Sequence, residues 1–224
     1  MLTYDDAEAF SGGVLRCAGL DGHDRPDWEE AAEAWVWQRE PERRGILVYD
    51  LPASPLPSGW TWVRIGAEPR KPAIMIRGLT GRERDHNGGH ELGHIVLAVL
   101  DLRLAPDVHE ERWCNRFASS LLAPADVVRR AWRRARANGE RVGQHVKALR
   151  PTALALRLGE VGVASVLVTQ RERVIYTAGP GLIPANDVRP LVRLALRAGR
   201  ADGDGLRAYR LSDGVDRVAV LRAA

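Results

Sequence analysis

Two histidines four positions apart, His90 and His94, enclose a glutamate, Glu91, in the pattern H-E-x-x-H. Residues four apart lie on the same face of an α-helix, so both imidazoles can meet one metal ion. In this pattern the glutamate that follows the first histidine can act as a base toward water on the metal. The apolar run from Ile95 to Leu100 gives the helix a side to bury, which favours a metal site over two unrelated surface histidines.

A catalytic zinc site takes three protein ligands and leaves one position open, so a third ligand is expected elsewhere in the chain. The metzincin continuation is excluded, because Leu97 and Leu100 stand where it needs a glycine and a histidine. The next candidates are His109, Glu110 and Glu111. At helical period Glu111 shares a face with Cys114, Asn115, Ala118 and Leu122. Glu111 is therefore predicted to point inward, and His109 and Glu110 are predicted to be solvent-facing residues at the helix start.

The two motif blocks together carry a family resemblance. H-E-L-G-H at 90–94, followed by E-x-x-C-N-x-F-A-x-x-L-L-x-P at 111–124, resembles the ImmA/IrrE metallopeptidases, intracellular bacterial enzymes that cleave repressor proteins. The resemblance covers about residues 45 to 162. It implies that Glu111 is the third zinc ligand and that the substrate is a protein, with a transcriptional repressor as the expected one. One departure is the run at 85–89, Asp-His-Asn-Gly-Gly, where the family has an aromatic-Thr-x-Ala run.

These residues predict a zinc-dependent endopeptidase. Zn²⁺ held by His90, His94 and Glu111 would leave one position open for water and would lower the pKa of that water. Glu91 is predicted to take the proton of the water and to deliver it to the leaving amine.

Two neighbouring residues extend the predicted site. Asn115 lies one helical turn beyond Glu111, where its side-chain oxygen is predicted to accept the second N–H of a ligating histidine. A buried asparagine with a purely structural role is the alternative. His86 precedes His90 by four residues, but the Asn-Gly-Gly run between them predicts a turn, which would loosen the start of the helix and keep His86 from the metal.

Composition limits the class of protein. A chain of 224 residues with 45% hydrophobic and 28% charged residues is typical of a soluble globular protein. The acidic segment from Met1 to Phe10 does not resemble a signal peptide, and no apolar stretch approaches the ~20 residues of a membrane span. Cys17 and Cys114 are too few for a disulfide framework, so a cytoplasmic location is expected. The oligomeric state stays open.

The positive charge is concentrated in one predicted helix. The net charge is +4, and the densest cluster consists of Arg129, Arg130, Arg133, Arg134 and Arg136. Val128, Trp132 and Ala135 would face the core, which leaves the arginines as a solvated face or as a phosphate-binding surface. Nucleic acid is thus a permitted partner but not a required one. A regulatory protein-binding or DNA-binding protein with a non-catalytic metal site is the alternative function, although such a site would not need Glu91.

The pattern of elements predicts an α+β protein with a zincin-like core in residues 1–162. A helix over Trp28–Arg39, capped by Asp27, precedes strands at 45–50, 60–65 and 73–77. These strands are predicted to form a small antiparallel sheet whose last strand lies beside the cleft, where an extended peptide could add as a further strand. Thr152 is predicted to cap a short helix that ends at Leu158.

Residues 163–224 are predicted to form a separate small α+β module. Two hairpins, 163–169 with 173–177 and 207–211 with 215–221, flank a helix at 187–198 that ends at Gly199. The module contains no cluster of residues with metal-ligand spacing. Recognition of a partner or a signal is therefore its expected role.

Overall fold

The structure is a computed structural model that describes residues 1–39, 45–53, 59–62, 72–138, 142–185, 188–212 and 216–223. The chain divides into two units, Met1–Pro124 and Ala125–Ala224. Helices and strands are mixed in both units, which confirms the predicted α+β class. Among the described residues, no helix has the length and apolar character to cross a membrane.

The first unit contains the candidate metal helices and a small sheet. Its described elements are α1 (Asp6–Cys17), α2 (Trp28–Arg39), β1 (Leu47–Leu51), β2 (Gly59–Trp62), β3 (Ala73–Arg77), α3 (Gly81–Val99) and α4 (Glu110–Leu122). The predicted cap of α2 is confirmed, because Asp27 Oδ1 accepts the backbone N–H of Glu29 at 2.9 Å. Trp35 faces the core from the same helix.

The sheet of the first unit is mixed rather than antiparallel, so that part of the prediction is wrong. The strand order is β1-β3-β2, with β1 parallel and β2 antiparallel to β3. Ile74 and Ile76 are fully buried in β3, as expected of a central strand. Because β3 has a neighbour on each side, a peptide cannot add to it, and the prediction of β3 as the receptive edge is also wrong. Residues 63–65 of the predicted second strand lie outside the described residues.

Helix α3 runs without a break from Gly81 to Val99, so the turn predicted between His86 and His90 is wrong. Tertiary packing explains the difference. Gly88 is buried directly against the indole of Trp28, and a Cβ at Gly89 would lie only 3.3 Å from the backbone of Ala118. The two glycines therefore allow α2 and α4 to approach α3 closely, and this packing outweighs their low helix propensity.

Arg84, in the first turn of α3, forms side-chain hydrogen bonds to two other elements. Its Nε donates to Asp50 Oδ1 at 2.8 Å, which connects α3 to β1, and its Nη1 donates to Glu29 of α2. Arg84 lowers the pKa of Asp50 below its usual value through this hydrogen bond. The contacts hold the helix start in place, about 1.7 turns before the first candidate ligand.

The second unit is a five-stranded sheet with helices. Its described elements are α5 (Ala125–Asn138), α6 (Pro151–Glu160), β4 (Ala164–Gln170), β5 (Arg173–Ala178), α7 (Arg189–Ala198), β6 (Arg200–Gly203), β7 (Leu206–Arg210) and β8 (Arg217–Ala223). The order is β5-β4-β8-β7-β6, and neighbouring strands are antiparallel throughout. The strands of both predicted hairpins pair with each other, and α7 ends at Gly199 with φ of 80°. Residues 213–215 of the second hairpin and residue 187 of the predicted helix lie outside the described residues. The short polar strand β6 was not predicted.

The second unit begins at Ala125, whereas the predicted module begins at Val163. The reason is that α6 packs on β4 and β5, where Gly159 lies against the backbone of Ala178. Pro151 occupies the first turn of α6 and Arg150 is the residue before it, so Thr152 lies inside the helix and does not cap it.

The arginine-rich helix α5 has the predicted orientation. Val128 and Ala135 are buried and Trp132 is half-buried. Two of the arginines are engaged within the unit, since Arg130 pairs with Asp126 and Arg129 donates to the carbonyl of Val161. Arg133, Arg134 and Arg136 are exposed. This arrangement fits a solvated helix face.

The close packing of α3 predicts how substitution of its glycines changes the free energy of unfolding. Gly88→Ala should destabilise the protein by about 1–3 kcal/mol, because the new Cβ would overlap the indole of Trp28. Gly13→Ala in α1 is the matched control, since its Cβ would meet only the end of the Arg16 side chain at 3.9 Å. That variant should gain about 0.5–1 kcal/mol. Urea unfolding measures both, and equal stabilisation by the two substitutions would contradict the packing described.

Candidate metal centre

The candidate site lies where α3 and α4 pack against each other at close range. Gly93 faces Cys114, and a Cβ at this glycine would lie 3.1 Å from the Cys114 sulfur. Leu92 and Ile95 point into the core from α3. This register turns the side of α3 that carries both histidines toward the first two turns of α4.

Three candidate ligand atoms converge between the two helices. His90 Nε2 lies 3.2 Å from His94 Nε2 and 3.2 Å from Glu111 Oε2. His94 Nε2 lies 3.5 Å from Glu111 Oε1. His90, His94 and Glu111 form the group of three whose ligand atoms all lie within 4.8 Å of one another. The structure thus brings together all three residues that the sequence predicts as ligands. The Glu111 side chain is exposed, however, so the prediction that it points inward is wrong.

The far side of each imidazole has an oxygen acceptor. His90 Nδ1 lies 3.1 Å from Asn115 Oδ1, and His94 Nδ1 lies 2.7 Å from Glu110 Oε1. A hydrogen on Nδ1 of either ring would be donated to this oxygen and would leave the lone pair of Nε2 free for a metal ion. Asn115 therefore makes the contact predicted for it.

The donor set fits a divalent metal ion such as zinc. With the hydrogen of each ring on Nδ1, two imidazole lone pairs and a carboxylate would point at one another and would repel unless a cation lay between them. Two nitrogens and one oxygen are also the donors of many catalytic zinc sites. The group could hold a metal ion.

Glu91 lies beside the ligands but is buried, with 6% of its surface exposed. Burial raises the pKa of its carboxyl group to about 7; the nearby Glu111 adds to this rise and His94 opposes it. Burial also lowers the pKa of His90 below its usual value, and the neighbouring His94 adds to that effect. The site thus combines a buried carboxyl group with an imidazole, that of His90, which favours the neutral, metal-binding form.

Glu110 is the site residue whose contact the sequence analysis missed. Its side chain is more than half exposed, as predicted, yet its carboxylate also binds His94. The signal was its place next to Glu111 in the first turn of α4, because consecutive helical residues are rotated by about 100° and can reach two sides of one ring. His109 precedes the helix and is exposed, and His86 is not a member of the group of three.

Cys114 is close to the ligands in sequence but is a core residue. It is fully buried, and burial together with the nearby Glu110, Glu111 and Glu91 raises the pKa of its thiol well above the usual range. A thiol in these surroundings stays protonated and packs as a small hydrophobic side chain.

Comparison with known proteins does not identify a family. No family model matches the chain, and no curated protein matches it.

The geometry predicts the metal content and the residues on which it depends. The purified protein should carry about one zinc ion per chain, and a chelator should remove it. Glu111→Ala should weaken zinc binding by more than the roughly 10–100-fold that loss of an outer hydrogen-bond partner costs. His109→Ala is the control and should retain the metal. Metal analysis and competition with a chromophoric chelator measure both, and a zinc-free His109→Ala beside a zinc-loaded Glu111→Ala would contradict the assignment.

Proposed function

We propose that this chain is a zinc-dependent endopeptidase with a zincin-like core. His90, His94 and Glu111 would hold the zinc, and Glu91 would be the general base. The observation that carries the proposal is the convergence of three acceptor atoms within 4.8 Å, next to a buried glutamate that follows the first histidine. A metal site with a purely structural role needs no such base.

The metal and Glu91 would have different roles in the reaction. When bound, zinc acts as a Lewis acid that polarises a peptide carbonyl and makes water more acidic. A carboxylate oxygen of Glu91 takes a proton from the water that attacks the carbonyl carbon. The same carboxyl group then gives the proton to the amide nitrogen as the C–N bond breaks. Burial supports this role, because a carboxyl group with a raised pKa holds a proton more readily than an exposed one.

The exposure of the site supports a macromolecular substrate. The Glu111 side chain is 74% exposed, whereas the side chains of His90 and His94 are 12% and 18% exposed. The ligand set is therefore open to solvent from the α4 side, where a polypeptide could approach it. The sequence resemblance to ImmA/IrrE metallopeptidases supports a transcriptional repressor as the substrate and the cytoplasm as the location.

Glu91→Gln separates catalysis from metal binding. The substitution keeps the size of the side chain but removes the base, so zinc should remain while peptide cleavage falls by about 10²–10⁴-fold. Mass spectrometry of a repressor substrate after incubation with each protein measures the cleavage. Undiminished cleavage by the variant would rule out Glu91 as the base. Zinc-loaded wild type that cleaves no repressor or unstructured peptide would favour the non-catalytic alternative.

We propose further that the second unit serves to recognise a partner or a signal. All three proposed ligands and the proposed base belong to Met1–Pro124. A chain shortened to residues 1–124 should therefore bind zinc with nearly unchanged affinity but lose selectivity among protein substrates. Zinc titration and comparison of cleavage products from several proteins test this. Unchanged selectivity of the shortened chain would leave the second unit without a role in recognition.

A further inference from the structure

Two consecutive carboxylates of α4 contact opposite edges of the same imidazole. Glu110 Oε1 lies 2.7 Å from His94 Nδ1, and Glu111 Oε1 lies 3.5 Å from His94 Nε2. The first contact has the length of a strong charge-assisted hydrogen bond, and the second is too long for a good hydrogen bond. The two glutamates therefore differ in role although they are adjacent in the chain.

The contact with Glu110 decides which nitrogen of His94 carries the hydrogen. A neutral imidazole has one N–H, and a carboxylate can only accept it. The hydrogen therefore belongs on Nδ1, and the Nε2 lone pair is directed toward His90 Nε2 and Glu111. The Glu110 carboxylate is exposed, so in its absence water would take its place. Water accepts a hydrogen bond from either ring nitrogen and therefore does not select one tautomer.

We propose that Glu110 is the positioning residue for His94: its carboxylate holds the ring in the Nδ1–H form and so directs Nε2 to the metal. This inference rests on the proposed metal site. Asn115 makes the corresponding contact with His90, but through a neutral amide oxygen at 3.1 Å. Because hydrogen bonds to a charged acceptor are roughly twice as strong as neutral ones, Glu110 should contribute more to ligand orientation than Asn115.

The first test uses the wild-type protein without metal. Long-range ¹⁵N–¹H correlation NMR distinguishes the two neutral tautomers and the doubly protonated ring of each histidine. At alkaline pH, where free imidazole is neutral, His94 should appear as the Nδ1–H form. An Nε2–H form or a doubly protonated ring at that pH would overturn the proposal, and neither result depends on zinc binding or on proteolysis.

The second test compares substitutions at Glu110. In metal-free Glu110→Ala, His94 should shift toward the Nε2–H form, and the zinc affinity of this variant should fall about 10–100-fold. Glu110→Gln retains an acceptor oxygen, so its zinc affinity should lie closer to wild type than to Glu110→Ala. Competition with a chelator gives the affinities, and circular dichroism checks that each variant is folded.

Two control variants separate positioning from a general effect of charge. Asp107→Ala removes an exposed carboxylate close to the start of α4 and should change neither the His94 tautomer nor the zinc affinity. Asn115→Ala should alter the tautomer of His90 and leave that of His94 unchanged.

Retention of the Nδ1–H form and of zinc affinity within about twofold in Glu110→Ala would overturn the role of Glu110 while leaving the metal centre intact. Equal loss in Asp107→Ala and Glu110→Ala would overturn it as well. If wild type binds no zinc, the metal centre fails, and the NMR result still decides the contact.

Discussion

The close approach of α3 and α4 is the constraint on which the candidate site depends. Gly89 and Gly93 have no side chain on the side that faces α4, so Ala118 and Cys114 can pack directly against the backbone of α3. A Cβ at either glycine would require its neighbour to give way by a few tenths of an ångström. Separation of the helices would draw Glu111 away from the histidines. The glycines that weaken the helix in isolation thus make the ligand geometry possible.

Apolar packing stabilises an arrangement that the ligands themselves oppose. Three candidate ligand atoms held near one another repel in the absence of a cation when the hydrogen of each imidazole is on Nδ1. The opposing stabilisation comes from the core of the first unit, where Trp113 stacks on Phe117 with ring centroids 5.6 Å apart and Phe10 packs edge-on against Trp113. Each large aromatic buries enough surface to contribute a few kcal/mol. The core therefore preorganises the ligands, and a metal ion would find the site already formed.

The candidate ligands were predictable from sequence because their spacing reflects local helix geometry. Spacing of four places His90 and His94 on one face of α3. Glu111 follows from the second motif block, although its side chain is 74% exposed and does not point inward as helical period predicts. The contact of Glu110 was missed because it depends on the position of a second helix, which no local rule gives. The unbroken helix through Gly88 was missed for the same reason, since its stability comes from the indole of Trp28.

The sheets show the same division between local and non-local information. Strand positions follow from alternating and β-branched residues, and Ala73–Arg77 is found where the sequence predicts it. Strand order does not follow, because β3 inserts between β1 and β2 through contacts that are distant in sequence. Strand β6 was missed because its residues, Arg-Ala-Asp-Gly, lack the apolar alternation of a strand, and pairing with β7 defines it.

X-ray absorption spectroscopy of the zinc-loaded protein tests the central claim most directly, because it reports the atoms bound to the metal. The account predicts a four-coordinate zinc with nitrogen and oxygen neighbours at about 2.0–2.2 Å and the multiple-scattering pattern of two imidazoles. A sulfur neighbour at about 2.3 Å would implicate Cys114 and contradict the ligand set. A spectrum without imidazole scattering would contradict the metal centre altogether.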